Sequence, residues 1–106
     1  MVAVAAIGFV DDSSRADHFK KHAGDFGAVS EDEYEKMTVA FLNGPVLNFI
    51  LECIRKGNGD TIRFSLLSNS FGVMRKDGVI KTYFVADIKV HGRRTNLDYF
   101  YEECAK

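Results

Sequence analysis

Three basic side chains with useful chemistry stand close together near the start of the chain. His18, Lys21 and His22 are spaced at i, i+3 and i+4, so one face of a helix can present all three. An imidazole, whose ordinary pKa is about 6.5, can act as an acid or a base near neutral pH. A nearby ammonium can stabilise an anionic transition state. This combination suits phosphodiester cleavage, and a solvated helix face with no such role is the alternative.

The same residues do not favour a metal site. Two histidines at i, i+4 could share a metal ion, but the glutamate of the H-E-x-x-H motif is missing. No sequence pattern identifies a carboxylate elsewhere in the chain as a third ligand. We therefore expect neither a metal nor another cofactor.

A second group of polar residues interrupts three apolar runs between residues 60 and 86. The runs are separated by turn sequences, and the Asp-Gly pair at 77–78 is typical of a type I′ hairpin, so a three-stranded antiparallel meander is predicted. Arg63, Lys81 and Thr82 could bind a phosphate or a ribose through charge-assisted contacts. Alternatively they lie on a solvent-facing side or an edge strand, where lysine opposes aggregation. The apolar residues alternate imperfectly, which leaves the faces of these strands open.

Residues 87–96 form a basic stretch that could grip phosphates, although such a loop is usually only solvated. It carries Lys89, His91, Arg93 and Arg94 around Gly92. The aromatic run that follows could stack on nucleobases or pack on the core, in a last strand or a terminal helical turn. It consists of Tyr99, Phe100 and Tyr101.

Helices are predicted ahead of the meander. A cluster of capping residues at 11–14 begins the first helix, and the second runs from a capping box at Ser30 to Asn43-Gly44. Residues 46–54 are apolar nearly all round, which predicts a mostly buried third helix. Cys53 within it is expected to be a buried free thiol, as in a reducing compartment.

Length and composition indicate a single domain over residues 1–106, with hydrophobic residues at 46%. The order of helices followed by antiparallel strands predicts an α+β fold. The net charge of −1 excludes a global positive field that would draw the chain to nucleic acid. The apolar start has no basic segment ahead of it and is too short for a membrane span, so a strand or an ordered arm is favoured there.

Several short motifs together resemble the small ribonuclease toxin domains of the barnase/EndoU/colicin/RelE superfamily. The similarity is greatest to the C-terminal toxin domains of contact-dependent growth inhibition proteins and to phage-borne relatives, and it covers about residues 16–101. The motifs are H-F-x-K-H-x-x-x-F-G at 18–27, S-E-x-E-Y at 30–34, R-K-x-x-G-D-x-I-R-F at 55–64, N-x-F-G-V at 69–73, D-G-x-I-K-T at 77–82 and Y-F at 99–100.

The resemblance implies N-terminal helices packed on a small twisted antiparallel sheet that carries the active site. It also implies metal-independent cleavage of RNA, commonly transfer RNA, in which the 2′-hydroxyl attacks the adjacent phosphate to give a 2′,3′-cyclic phosphate. His18 would be the leading acid/base and His22 its counterpart, Lys21 and Arg63 would stabilise charge, and Thr82 would bind the scissile phosphate. Tyr99 would position the ribose or carry a proton, and Lys81, Arg93 and Arg94 would contact RNA.

The resemblance further implies a bacterial toxin that acts in the cytoplasm of a target cell. Such a toxin would arrive as the C-terminal part of a larger secreted protein, be neutralised by a cognate immunity protein, and sometimes need a host protein cofactor. Lys81 stands where arginine is expected and Ser65 where aspartate is expected, which leaves the choice of substrate open. A non-catalytic module that binds RNA or protein, and a phage or immunity accessory protein, are the alternative functions.

Overall fold

Four helices and a five-stranded mixed sheet make up the computed structural model, which describes residues 5–106. The prediction of a mixed helix and strand fold with N-terminal helices on a sheet is confirmed at this level. Residues 1–4, part of the predicted opening strand, lie outside the described range. The elements are β1 (Gly8–Phe9), α1 (Asp12–Phe26), α2 (Glu31–Asn43), β2 (Ile50–Ile54), β3 (Thr61–Ser65), β4 (Ser70–Met74), β5 (Val79–Val85), α3 (Ile88–His91) and α4 (Asn96–Ala105).

The strands lie in the order β1-β5-β4-β3-β2. Strands β2 to β5 are antiparallel neighbours, so the predicted meander is confirmed as β3-β4-β5. The sheet is mixed rather than purely antiparallel because the two-residue strand β1 runs parallel to β5. Within residues 5–106, that strand pairs only with Val79 and Ile80, and the rest of the β5 edge has no strand partner among those residues.

Local capping sets the ends of the first two helices. The Asp11 carboxylate accepts a hydrogen bond from the Ser14 N–H at 2.7 Å, and the Ser30 hydroxyl accepts one from the Glu33 N–H at 3.1 Å. Gly27, with φ of 66°, ends α1 in the left-handed conformation. The predicted starts of both helices are therefore confirmed.

Helices cover both faces of the sheet. On one face, α1 and α2 pack over Gly72 and Tyr83, and a Cβ at Gly72 would lie 3.1 Å from atoms of Phe41 and Leu42. On the other face, α4 packs Phe100 against Phe64 with ring centroids 5.8 Å apart. The aromatic run at 99–101 therefore belongs to a ten-residue helix, which was one of the two predicted possibilities. Within residues 5–106, no helix is both long enough and apolar enough to cross a membrane.

The predicted third helix over residues 46–54 was wrong. Residues 50–54 form β2, which pairs along its whole length with β3. Leu51 and Cys53 turn toward α4, whereas Glu52 turns toward α2 and contacts Arg63. A short apolar run fits a helix or a strand equally well by its periodicity, and here pairing with β3 decides between them.

The predicted free thiol at Cys53 was also wrong, because Cys53 forms a disulfide with Cys104. As a strand residue, Cys53 lies on the face covered by α4, and the Cα atoms of the two cysteines are 6.1 Å apart. The disulfide ties the C-terminal helix to the edge strand β2. The inference of a reducing compartment loses its basis.

The turn at 77–78 connects β4 to β5 as expected, but its type differs from the prediction. Gly78 has a φ of 91°, whereas Asp77 is not in the left-handed region. The Gly78 N–H donates to the Arg75 carbonyl at 2.9 Å, and the Arg75 N–H donates to the Val79 carbonyl at 2.8 Å. The result is a three-residue loop with glycine at its last position rather than a two-residue type I′ turn.

A bulge in β5 explains why the apolar residues alternate imperfectly. Val73 pairs with Thr82 and Met74 pairs with Ile80, so Lys81 is an extra residue in β5. Ile80 therefore packs with Leu42 of α2, whereas Thr82, only two residues later, lies on the face covered by α4. The bulge therefore shifts the alternation of β5 side chains between the two faces by one residue.

Arg63 is a buried structural residue, with 8% of its surface exposed. Its guanidinium bonds the Glu52 carboxylate and donates to the carbonyls of Phe41 and Gly44 at the end of α2. It pairs with Gly72 across the sheet and so lies on the face opposite Thr82. The structure does not place Arg63 where it could stabilise charge beside Thr82.

Replacing Arg63 should therefore lower stability. We expect Arg63→Ala to lower the free energy of unfolding by about 3 kcal/mol, because a buried ion pair loses one partner and helix-end carbonyls lose their donor. Urea denaturation followed by circular dichroism would measure it. The matched control is Arg94→Ala, whose side chain is 87% exposed and which should change the value by less than about 0.5 kcal/mol. Equal effects of the two variants would refute the structural role.

Reduction of the disulfide should also lower stability. Its cysteines are 51 residues apart, so the cross-link limits the freedom of the unfolded chain. We expect dithiothreitol to lower the free energy of unfolding by about 2–4 kcal/mol. A Cys53→Ser/Cys104→Ser variant should show the same loss and no further change with dithiothreitol. A reductant effect of equal size on that variant would rule out the disulfide as the cause.

Candidate functional site

A cleft of about 460 Å³ opens beside the C-terminal half of β5. Its walls come from α1, β5 and the segment that includes α3 and the start of α4, so residues far apart in sequence meet there. The residues that line it are Lys21, His22, Asp25, Thr82, Phe84, Val85, Asp87, Val90, His91 and Tyr99.

One wall is α1, which lies against the part of β5 that β1 does not reach. The His22 ring contacts Phe84 with centroids 5.5 Å apart. The Asp25 carboxylate accepts a hydrogen bond from the Val85 N–H at 3.0 Å and so occupies a main-chain donor of the edge strand. One turn of α1 therefore supplies an imidazole to the cleft and fastens the helix to the sheet.

The cleft also contains two hydroxyl groups, from Thr82 of β5 and Tyr99 of α4. The Tyr99 ring packs against Phe71 with centroids 5.0 Å apart. Burial, followed by the charge of Glu103, raises the pKa of the Tyr99 phenol above its ordinary value. Tyr99 is therefore a neutral hydrogen-bond donor at physiological pH.

His91 lies in the cleft with a fixed orientation. The Arg93 N–H donates to its Nδ1 at 3.0 Å, so Nε2 carries the proton and donates to the Asn96 Oδ1 at 2.8 Å. The imidazole stacks on Tyr99, with centroids 4.4 Å apart and an angle of 7° between the rings. Both nitrogens are thus occupied.

His18 stands behind His22 rather than in the lining of the cleft. Its ring stacks on Phe9 and lies 6.0 Å from the His22 ring, measured between centroids. The His18 Nδ1 is buried, and no described residue forms a hydrogen bond with it. Burial is the largest cause that lowers the pKa of both imidazoles, so both are neutral at pH 7.

The charges in the cleft are mixed. The Lys21 ammonium is 3.1 Å from Asp17, but both side chains are more than half exposed, so this ion pair can exchange for another anion. Two carboxylates face the same space: Asp25 binds the Val85 N–H, and Asp87 caps α3 through the Lys89 N–H at 2.8 Å. The cleft can therefore hold one anionic group near Lys21 but is not uniformly positive.

The structure brings four of the predicted site residues together and separates the other five. Lys21, His22, Thr82 and Tyr99 line the cleft. His18 stands behind it and Arg63 lies on the other face of the sheet. Each of the three residues predicted to bind RNA forms an ion pair at its own position: Lys81 with Asp60, Arg93 with Glu102 and Arg94 with Asp98.

The predicted set omitted three polar residues of the cleft. His91 stood out in the sequence only as part of a basic stretch, and its stacking on Tyr99 depends on tertiary contacts. Asp25 and Asp87 gave no signal beyond those expected for a helix surface and a helix cap. Among residues 5–106, His, Cys, Asp and Glu side chains form no group of three or more that could hold a metal ion.

No protein-family model matches the sequence, and no curated protein matches it either.

The lowered histidine pKa values predict a loss of stability in mild acid. Below about pH 6.5 the unfolded chain binds protons at positions 18 and 22 that the folded chain does not yet bind, so acidification favours unfolding. The free energy of unfolding should be level above neutral pH and fall as pH drops through 6.5. Urea titrations at successive pH values would measure this slope. His18→Phe, which keeps the stacking on Phe9, should reduce it, and an unchanged slope in that variant would exclude His18 as the cause.

Proposed function

We propose that this chain is a metal-independent endoribonuclease whose active site is the cleft beside β5. The observation that supports this most is the meeting of an imidazole, an ammonium and two hydroxyl groups from three separate elements. These are His22, Lys21, Thr82 and Tyr99, all of which the resemblance to ribonuclease toxins had implied. The proposal includes membership of that superfamily, with β2–β5 as its antiparallel sheet.

In the proposed mechanism His22 is the general base. Its lowered pKa leaves the ring neutral at pH 7, so it can accept the proton of the ribose 2′-hydroxyl. The resulting oxyanion attacks the adjacent phosphorus, the bond to the 5′-oxygen breaks, and the departing oxygen takes a proton from the neutral Tyr99 phenol, which regains one from solvent. The products are a 2′,3′-cyclic phosphate and a free 5′-hydroxyl.

The other cleft residues would stabilise the transition state. Lys21 balances the charge that develops on the phosphate oxygens, and Thr82 donates its hydroxyl to the scissile phosphate. Tyr99, a neutral phenol, gives its proton to the departing 5′-oxygen. His18 supports this arrangement from behind by packing between Phe9 and His22.

The biological setting is proposed from the resemblance. The substrate is RNA, with transfer RNA the first candidate, and the chain is an antibacterial toxin that acts in the cytoplasm of a target cell. Delivery as the C-terminal part of a larger secreted protein, inhibition by a cognate immunity protein and dependence on a host protein cofactor belong to the same proposal. The mixed charge of the cleft supports contact with one or two phosphates rather than a long stretch of nucleic acid.

Purified protein incubated with bacterial transfer RNA in EDTA tests the proposal. We expect discrete fragments that end in a 2′,3′-cyclic phosphate. His22→Ala should lower the cleavage rate by about 10²–10⁴-fold through loss of the base. Thr82→Val and Tyr99→Phe keep the shape of the side chains and should each lower the rate by about tenfold or more through loss of a donor.

The controls separate catalysis from structure. Lys36→Ala should cleave at the rate of the unaltered protein, because Lys36 lies on α2 outside the cleft and its side chain is 78% exposed. If the RNA stays intact, the assay would be repeated in bacterial lysate, which supplies any host cofactor. RNA that stays intact in the lysate would contradict the proposed nuclease activity, and a non-catalytic binding module would then be the remaining interpretation. Cleavage at an unchanged rate in His22→Ala would contradict the assignment of the active site to this cleft.

A further inference from the structure

His91 contributes an imidazole to the cleft that the proposed mechanism does not use. Its Nδ1 accepts the Arg93 N–H at 3.0 Å and its Nε2 bonds the Asn96 Oδ1 at 2.8 Å. A ring in this state cannot take a proton at Nδ1 without losing the first bond, and its Nε2 proton is already donated. His91 therefore differs from His22, for which no described residue bonds a ring nitrogen, and is poorly suited to transfer protons.

The ring is also held rigidly. The Asn96 side-chain amide donates to the Ala86 carbonyl at 3.1 Å, which ties the hydrogen-bond partner of His91 to the end of β5. Gly92, with φ of 72°, turns the chain so that the Arg93 N–H points back at the imidazole. The orientation of the ring is thus fixed by the protein without help from a ligand.

One face of the His91 ring is covered by Tyr99, which lies parallel to it at a centroid distance of 4.4 Å. Tyr99 in turn contacts Phe71, with centroids 5.0 Å apart and an angle of 44° between the rings, so a second aromatic contact helps to hold the ring on which His91 stacks. With both nitrogens bonded and one face covered, His91 has only its second face and its carbon edge to offer a molecule in the cleft. These surfaces favour a flat aromatic group.

We propose that His91 is the base-stacking residue of the cleft and fixes the nucleobase beside the scissile phosphate. This inference rests on the proposed function, because the phosphate and ribose are assigned to Lys21, His22 and Thr82. A rigid stacking surface lowers the entropy cost of binding, and stacking on an aromatic ring accepts any base. His91 is then a positioning residue that sets where the RNA chain lies, without a part in proton transfer.

The test uses a short 2′-O-methyl oligoribonucleotide, which lacks the attacking hydroxyl and cannot be cut by the proposed mechanism. Its affinity is measured by fluorescence anisotropy, first intact and then with one base removed at each position in turn. We expect one position at which base removal raises Kd by about tenfold, within the range for a base stacked on an aromatic side chain. In His91→Ala the same removal should raise Kd by less than about twofold.

His91→Phe is the matched variant, because it keeps an aromatic face and loses both hydrogen bonds. It should retain most of the tenfold effect, and near-ultraviolet circular dichroism would verify that each variant is folded. In the cleavage assay, His91→Ala should raise KM more than it lowers kcat, unlike His22→Ala.

Three results would overturn the stacking role. The first is a base-removal effect of the same size in His91→Ala as in the unaltered protein, and the second is the absence of any position at which base removal has such an effect. The unaltered protein's failure to bind the oligonucleotide would also overturn it. RNA cleavage by the unaltered protein is measured separately, so loss of stacking with cleavage intact leaves the ribonuclease in place. Stacking without cleavage would instead identify an RNA-binding module.

Discussion

The candidate site depends on how the exposed edge of β5 is covered. Strand β1 pairs with only two residues of β5, and an open edge presents unpaired main-chain groups. Helix α1 covers the remainder: Asp25 accepts the Val85 N–H, and Phe26 stacks on Tyr83 with centroids 3.9 Å apart. Because α1 must lie there, the face that carries Lys21 and His22 is brought beside Thr82. The same contacts that protect the edge also assemble one wall of the cleft.

Tyr34 of α2 holds α1 and β5 in this arrangement. Its ring is fully buried and has Phe9, Phe19, Phe26 and Tyr83 as aromatic neighbours. Its hydroxyl donates to the Tyr83 carbonyl, and burial raises the pKa of the phenol so that it remains a donor. On the opposite face, the disulfide and the bonds from Arg55 to Asp60 and Glu103 hold α4, and with it Tyr99. The two layers are fastened independently, and the cleft lies where they meet.

Local signals in the sequence predicted the local features of the fold. Caps at Asp11 and Ser30 and the turn sequences of the meander depend on neighbouring residues, and those elements formed as expected. Strand β2 depends on pairing partners that lie from 7 (Ile54 with Thr61) to 15 (Ile50 with Ser65) residues along the chain, and its disulfide depends on a cysteine 51 residues away, neither of which periodicity can reveal. The residues of the candidate site show the same difference between local and long-range signals. Helical spacing predicted that His22 and Lys21 share a face, and the structure places both in the cleft. Arg63 and Thr82 were predicted to lie together on the sheet, but they occupy opposite faces of it. That difference is set by side-chain packing and by the bulge at Lys81, neither of which alternation in the sequence specifies.

The bulge at Lys81 has a consequence for how such a chain can change through evolution. Upstream of Lys81, Ile80 faces the α2 side, and downstream of it Thr82 and Phe84 face the cleft. If Lys81 were deleted, Ile80 and Thr82 would become neighbours in a regular strand and would keep the opposite faces that they occupy now, still paired with Met74 and Val73. If a residue were lost elsewhere in β5, every side chain on one side of the loss would move to the other face, and either the core or the cleft would lose its side chains. Point substitutions along β5 change one side chain each, but a change in length acts on a whole segment. Position 81 is therefore where this strand can best accommodate the loss of a residue, whereas insertions and deletions elsewhere in β5 are the changes that it can least accommodate.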